Sequence, residues 1–435
     1  MKHPIVGYAG LTHLGLNSAV ASASKGFAVI GYHNDSNLVN KLKQGKPHVT
    51  EPDLVELMAE NKSRLQFSSD HESLSSCDIV YISVDVPTDD HGGSDLGPIY
   101  EIINTISSVL DKNALLVILC QVPPGFTRTL AWPSSQLFYQ VETLIFGRAI
   151  ERACFPERFI LGCSDPKRPI DQRFLTYLKS FSCPLLPMLY ESAELAKISI
   201  NMFLIASVSA SNTLAEVCES IGADWNEIVP ALHLDKRIGN YAYLSPGLGI
   251  SGGNLERDMA TVIQLSERYQ TDSSVVASWF TNSTHRKDWP WRKLKELVLE
   301  NIKNPLIALL GLSYKENTHS LKNSPAIALL EKLSGYVVNS YDPAASDSDI
   351  ILTNSQRKYT LDEAIIGSDV LIIMTPWPEF KNIKTDDLYK KMKGRVVIDP
   401  YQMLDGNDLT NKGFTYVSLG KPASVSNNSD NVSTS

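Results

Sequence analysis

Short apolar runs alternate with amphipathic stretches in two separate blocks of this 435-residue chain, and few folds accommodate that pattern. In the first block PIVGYAG (4–10), FAVIGY (27–32), DIVYISV (78–84), ALLVILC (114–120) and ERACF (151–155) read as strands. In the second, LIALLGL (306–312), YVVNSYD (336–342), DVLIIMT (369–375) and RVVIDP (395–400) do. Uniformly apolar strands are buried on both faces, and helix-like stretches between them imply crossovers that return each strand parallel to the last. The reading is therefore α/β, with two doubly wound units. Between them, Ser192 to Cys218 holds neither Gly nor Pro, which makes one long helix the simplest account.

Composition excludes several classes of function. With 43% apolar and 20% charged residues the chain is neither disordered nor fibrous. A net charge of -8 argues against nucleic-acid binding by broad phosphate neutralisation. The N-terminus lacks the zones of a signal peptide and no apolar run approaches the roughly 20 residues of a bilayer span, so a cytoplasmic protein without membrane contact is expected. Six scattered cysteines without a C-x-x-C pair read as buried, reduced thiols, with no metal site. The stretch after Lys421 is Ser/Asn-rich and reads as a disordered tail, 421–435.

After the first strand comes Gly10-Leu11-Thr12-His13-Leu14-Gly15, and a second strand ends at His33-Asn34-Asp35. This is the layout of a dinucleotide fingerprint: one glycine for a tight turn, one for close helix approach, and a helix N-terminus facing a diphosphate. Thr12 stands at the middle glycine, where its hydroxyl is a candidate phosphate donor. Gly10, Thr12, Leu14 and Gly15 are the candidate diphosphate turn. His33, with Asp35 two residues on, takes the position of the ribose-binding acid. NAD is expected, with the choice against NADP less sharply set by histidine than by an acid. The fold class becomes two Rossmann-like doubly wound domains joined by a central long-helix region, at 1–190, 191–303 and 304–420.

Further segments resemble the UDP-glucose/GDP-mannose (nucleotide-sugar) dehydrogenase family. Glu51-Pro52-Asp53-Leu54 is similar to its E-P-x-L, Cys120 to Arg128 to its S-T-V-P-x-G-T-T-R, and Pro156-Glu157-Arg158 to its N-P-E or P-E-R segment. Ala193 to Asn201 resembles A-E-x-x-K-x-x-x-N, and matches continue through Asp235 to Gly239, Pro246 to Gly249, Gly311 to Thr318, Ser324-Pro325 and Thr375 to Phe380. The resemblance implies oxidation of a sugar CH-OH on a nucleotide diphosphate sugar, UDP- rather than GDP-linked, by a homodimer in polysaccharide biosynthesis. It implies Glu157 as general base, Lys197 and Asn201 as oxyanion partners and Asp258 as the carboxylate assisting through water. Val86, Pro87, Gln121 and Lys322 fall to the cofactor, and Arg158, Arg237, Tyr241, Tyr243, Gly247, Gly249 and Lys315 to the substrate. Lys197 and Asn201, four apart on a helix, also share one face.

One departure bears on chemistry. Aligned on Arg257-Asp258, the family's G-G-x-C-x-x-K-D reads Ser251-Gly252-Gly253-Asn254-Leu255-Glu256-Arg257-Asp258, with Asn254 at the nucleophilic cysteine. Oxidation to an acid takes two hydride transfers, and the second needs the aldehyde captured by a thiolate, which a carboxamide cannot replace. Three outcomes stand open. The enzyme stops at the two-electron stage or returns the hydride as an epimerase; the aldehyde is oxidised through its hydrate or another thiol such as Cys120; or the protein is a catalytically silent nucleotide-sugar binder.

Overall fold

The computed structural model describes residues 3–87, 93–345 and 355–424. Most of the expected disordered tail, 425–435, lies outside the described residues. The chain divides into two compact units, Met1–Ile200 and Asn201–Ser435. The proposed functional division into 1–190, 191–303 and 304–420 is finer than these two.

The first unit is built on an eight-stranded sheet of order β3-β2-β1-β4-β5-β6-β7-β8. Its strands are β1 (Val6–Ala9), β2 (Val29–Tyr32), β3 (Leu65–Ser68), β4 (Ile79–Ile82), β5 (Leu115–Ile118), β6 (Leu137–Gln140), β7 (Phe159–Cys163) and β8 (Leu185–Leu189). The first six pair in parallel and follow the doubly wound order 3-2-1-4-5-6; β6 and β7 are antiparallel. Every residue of β1, β2, β4 and β5 is buried, because helices cover both faces. The connections carry α1 (His13–Ser24), α2 (Ser36–Lys43), α3 (Leu54–Glu60), α4 (Gly97–Ser107), α5 (Ala149–Cys154) and α6 (Gln172–Lys179).

The second unit repeats the plan. Its strands are β9 (Leu306–Leu310), β10 (Val337–Tyr341), β11 (Ser355–Arg357), β12 (Val370–Ile373), β13 (Val396–Ile398) and β14 (Thr415–Val417), all parallel in the order β11-β10-β9-β12-β13-β14. The long helix α7 (Tyr190–Ile221) begins in the first unit and continues into the second, where α8 (Trp225–Leu234), α9 (Asn254–Tyr269), α10 (Ser274–Lys287) and α11 (Trp289–Leu294) follow. Over 18 residues α7 is as apolar as a membrane span by composition, contrary to the expectation from the sequence, although only a third of that window is buried.

One assignment is corrected: ERACF belongs to α5. Ala149, Ile150 and Cys154 are its buried residues, while Arg148 and Glu151 form an exposed i,i+3 ion pair, a helical pattern rather than an alternating one.

At the end of β13, Asp399 is wholly buried and its Oδ2 accepts from the Leu404 amide (2.9 Å) and the Tyr416 hydroxyl (3.0 Å), while Oδ1 has no hydrogen-bond partner among the described residues. Burial, only partly offset by these bonds, pushes its carboxyl up to about 6. In the unfolded chain an aspartate titrates near ~4. Between those values the folded chain holds a proton that the unfolded chain has lost. The group therefore stabilises most below about 4, and its contribution, about 3 kcal/mol from the shift of roughly two units, is lost as pH rises through about 6. Asp399→Asn keeps an acceptor for both donors without the buried charge. Urea denaturation at pH 5 and pH 7 should show the variant's stability, relative to the parent, higher at pH 7 than at pH 5. An equal difference at both pH values would contradict the assignment.

Candidate functional site

The turn after β1 is set by backbone contact. Gly10 has φ 101°, and a Cβ there would lie 2.7 Å from Val84 Cγ1. At Gly15 a Cβ would stand 1.9 Å from the carbonyl oxygen of Gly10. Only glycine lets α1 start against the strand end, at the switch point of the sheet where α/β folds bind ligands. The first turn of α1 contains no acidic residue, and the nearby Glu51 carboxylate is bound to the His13 ring that opens it. This cradle fits a dinucleotide diphosphate.

The Thr12 hydroxyl donates to the Ser83 carbonyl at 3.1 Å, tying the turn to the end of β4 instead of pointing a donor at phosphate. Leu14 packs against the core. Val86 also packs against core residues, Pro87 accepts from the Asp95 amide, and Gln121 follows β5 at the same sheet edge. His33 follows β2; its Nδ1 accepts from the Asp35 amide (3.0 Å), which leaves the ring proton on Nε2 in the neutral form. Burial lowers the His33 pKa, against the opposing pull of Asp35. Asp35 is spent as the N-cap of α2, accepting from the amides of Asn37 and Leu38, and those backbone bonds hold its pKa down.

The second unit closes the equivalent position with its own carboxylate. Gly311 (φ 90°) follows β9 as Gly10 follows β1, and a Cβ there would lie 2.5 Å from Thr375 Cβ. Asp342 follows β10 as His33 follows β2. It accepts from the amides of Leu312 (2.7 Å), Ser313 (2.9 Å), Ala344 and Ala345 (both 2.8 Å) and from Trp377 Nε1 (3.2 Å). Burial alone would raise its pKa; the four backbone amides outweigh that and hold it low. Amides of the β9 turn are thus bound to the protein's own anion.

In the first unit, Lys197 on α7 pairs with Glu142 at 3.4 Å, with side chains only 15% and 18% exposed. Glu142 stands just past β6, lining a cavity of about 40 Å³ with Gln140, Tyr8, Tyr177 and Arg152. The structure does not bring Glu157 to this lysine. Glu157 is 61% exposed and held by Arg152 (3.2 Å) and Arg158 (2.8 Å), and Arg152 chiefly lowers its pKa. Arg158 is likewise engaged by Glu157. Sequence reasoning missed Glu142, although an acid directly after an apolar strand in a β/α series is a usable signal. Glu194, three residues before Lys197, is fully buried and accepts from the amides of Gly125 (2.5 Å) and Thr127 (2.8 Å), pinning the Pro124–Thr127 loop to α7.

In the second unit Asn201 Nδ2 donates to Asp258 at 2.5 Å, and Arg257 approaches the same carboxylate at 3.4 Å, all three buried. Asn254 is exposed at the first position of α9. It follows two left-handed glycines: a Cβ on Gly252 would meet the Tyr314 ring at 2.5 Å, and one on Gly253 would meet Lys322 Cε at 3.1 Å. Lys322 therefore lies along the turn into α9, and Lys315 sits 5.7 Å from the Tyr314 ring centre. Arg237 is 89% exposed and forks onto its own Asp235 (3.0 and 2.6 Å), with Tyr241 and Tyr243 exposed on the same loop. The Gly247 amide donates to Asn212 in open surroundings, whereas Gly249 is required because a Cβ would lie 2.5 Å from the Ser283 carbonyl.

Five of the six cysteines are buried, and Cys183 is partly exposed. All six cysteines are free. Cys120 is fully buried, donates to the Ile82 carbonyl at 3.2 Å, and burial pushes its thiol up to about 12. That is core chemistry, not a nucleophile.

Three family models match in succession: the UDP-glucose/GDP-mannose dehydrogenase family NAD binding domain over residues 5–174, its central domain over 191–283 and its UDP binding domain over 308–406. The chain is 29% identical over 428 residues to the UDP-glucose 6-dehydrogenase of Rickettsia bellii, covering 95% of this chain and 98% of that one. It is 28% identical over 430 residues to the UDP-glucose 6-dehydrogenase TuaD of Bacillus subtilis, covering 95% and 92%. Among solved structures, a UDP-D-ManNAc dehydrogenase from Pyrococcus horikoshii superposes with TM-score 0.83 at 24% identity over 96% of this chain and 99% of that one. A UDP-glucose dehydrogenase from Pyrobaculum islandicum gives 0.79 at 24% identity over 92% and 94%. These two likenesses concern the fold.

The geometry predicts one dinucleotide per chain, since Asp342 fills the second turn. Calorimetric titration with NAD should give a stoichiometry of about one; a value of two would refute the self-filled turn.

Proposed function

Because the chain belongs to the UDP-glucose/GDP-mannose dehydrogenase family, whose NAD binding, central and UDP binding domains it matches in order, we propose that it oxidises a sugar CH-OH of a UDP-linked sugar with NAD and stops at the two-electron stage. The observation that carries the chemistry is the largely buried Glu142–Lys197 pair beside the C-terminal end of β6. In this reading Glu142 takes the hydroxyl proton, in place of the exposed Glu157. Lys197 supplies a cation to the oxygen as charge develops on it, a role worth several kcal/mol in a preorganised site. Gly10, Gly15 and the start of α1 hold the NAD diphosphate, and the bound nicotinamide supplies the hydride acceptor.

The stop follows from residue 254. A second hydride transfer needs the aldehyde carbon made tetrahedral again, and a carboxamide is not the nucleophile for it. Cys120, buried in the core, does not stand in. A UDP-linked substrate is supported by the match to the UDP binding domain. A homodimer is supported by the apolar side chains that α7 leaves exposed, among them Phe203 at 77%, Leu214, Val217 and Ile221. We assign the protein to the cytoplasm and to polysaccharide biosynthesis on the same family basis.

Incubation with NAD and a panel of UDP-sugars should yield one NADH per sugar and an aldehyde trapped by hydroxylamine. Two NADH per sugar would defeat the two-electron reading; neither NADH nor an isomerised sugar would defeat the enzyme reading. Asn254→Cys should raise the yield toward two. Glu142→Gln should lower kcat about a hundredfold or more while Glu157→Gln leaves it within about threefold; the reverse order would restore Glu157. Phe203→Glu should shift the protein from dimer to monomer in light scattering, and an unchanged mass would place the interface elsewhere.

A further inference from the structure

The Glu51 side chain is fully buried, yet it touches neither the dinucleotide turn's glycines nor Glu142. It lies between the elements that carry them. Glu51 Oε1 accepts from His13 Nε2 at 2.7 Å and from the Gly147 amide at 2.9 Å, and Oε2 accepts from the Ala149 amide at 3.0 Å. His13 is the first residue of α1, where the diphosphate cradle begins. Gly147 and Ala149 close the loop that starts at Glu142, and that loop is tied at its other end by Arg152 donating to the Thr143 carbonyl at 2.6 Å. The contact is doubled by Phe146, whose ring stacks on His13 with centroids 4.1 Å apart.

A carboxylate can only accept, so His13 must donate from Nε2, which fixes its ring in one orientation. Buried carboxylates with three donors are geometrically exacting, because any partner that leaves exposes an uncompensated charge. The start of α1 and the 142–149 loop therefore move together or not at all. We infer that Glu51 is a positioning residue that couples occupancy of the dinucleotide turn to the placement of the Glu142 loop, through His13 on one side and Gly147 and Ala149 on the other. The inference rests on the proposed role of Glu142 for its effect on turnover, but not for its effect on the loop.

The test is hydrogen exchange of the 142–149 amides with and without NAD, in the absence of sugar, together with the NAD dissociation constant. In the parent protein NAD should slow exchange at Gly147 and Ala149. Glu51→Gln replaces one carboxylate oxygen by an NH2, which opposes an N–H either to His13 and Gly147, where it takes the Oε1 position, or to Ala149, where it takes the Oε2 position. It should keep a parent-like melting temperature, weaken NAD about tenfold, abolish the NAD-dependent protection and lower kcat at saturation. His13→Gln leaves Glu51 and the loop amides in place and should also abolish the protection, which keeps the test valid if Glu51→Gln fails to fold. Parent-like NAD affinity and undiminished protection in the two variants, or a parent protein whose 142–149 amides ignore NAD, would overturn the coupling. Normal turnover in Glu142→Gln would remove the proposed base while leaving the exchange result to stand on its own.

Discussion

The carbonyl of Gly10 and the α-carbon of Gly15 approach so closely that no side chain fits between them. Everything at the first unit's ligand edge depends on that contact. It lets α1 begin directly against the end of β1, so the helix's positive end lies at the sheet's switch point instead of a turn away. It also brings Thr12 to the Ser83 carbonyl and His13 to Glu51, fixing the turn against β4 on one side and the Glu142 loop on the other. A glycine at 10 or 15 is thus a condition of the architecture before it is a condition of binding.

The second unit meets the same constraint with Gly311 against Thr375 and spends the result differently. After the second strand of each sheet stands a residue at one structural position, His33 in the first unit and Asp342 in the second. His33 takes a backbone amide on Nδ1 and directs its ring proton elsewhere. Asp342 gathers four backbone amides and an indole, an arrangement in which hydrogen bonding overcomes the cost of burying the charge. The same fold is left open in one copy and closed in the other by a single side chain.

Much of this was legible in the sequence. The β/α alternation named the sheets because strands buried on both faces must be apolar throughout. The Gly-free, Pro-free run gave α7, and the glycine turn gave the cradle. ERACF misled because five residues are too short to separate a period of 2 from one of 3.6. The edge strands β3 and β11 were invisible because their exposed faces keep polar residues such as Gln66 and Gln356. Glu157 attracted the base assignment through its motif, yet whether a carboxylate is free depends on which cations fold against it. Arg152 is five residues from Glu157 in sequence and Lys197 is 55 from Glu142, and neither pairing has a sequence signature.

The spacing Glu194, Lys197, Asn201 shows what a long helix adds. Steps of three and four keep all three on one stripe, and each grips a different segment: the Gly125–Thr127 loop, Glu142 and Asp258. These are packing commitments, and a chain that lost them would lose structure. Asn254 is different. The two left-handed glycines shape the entry into α9, but the side chain at 254 is itself exposed, so the surrounding packing does not select asparagine over cysteine. Retention of the scaffold therefore carries no information about how far the proposed oxidation runs. On the proposed reading, a substitution at this exposed position would change which reaction the fold completes without changing what the fold must satisfy to form.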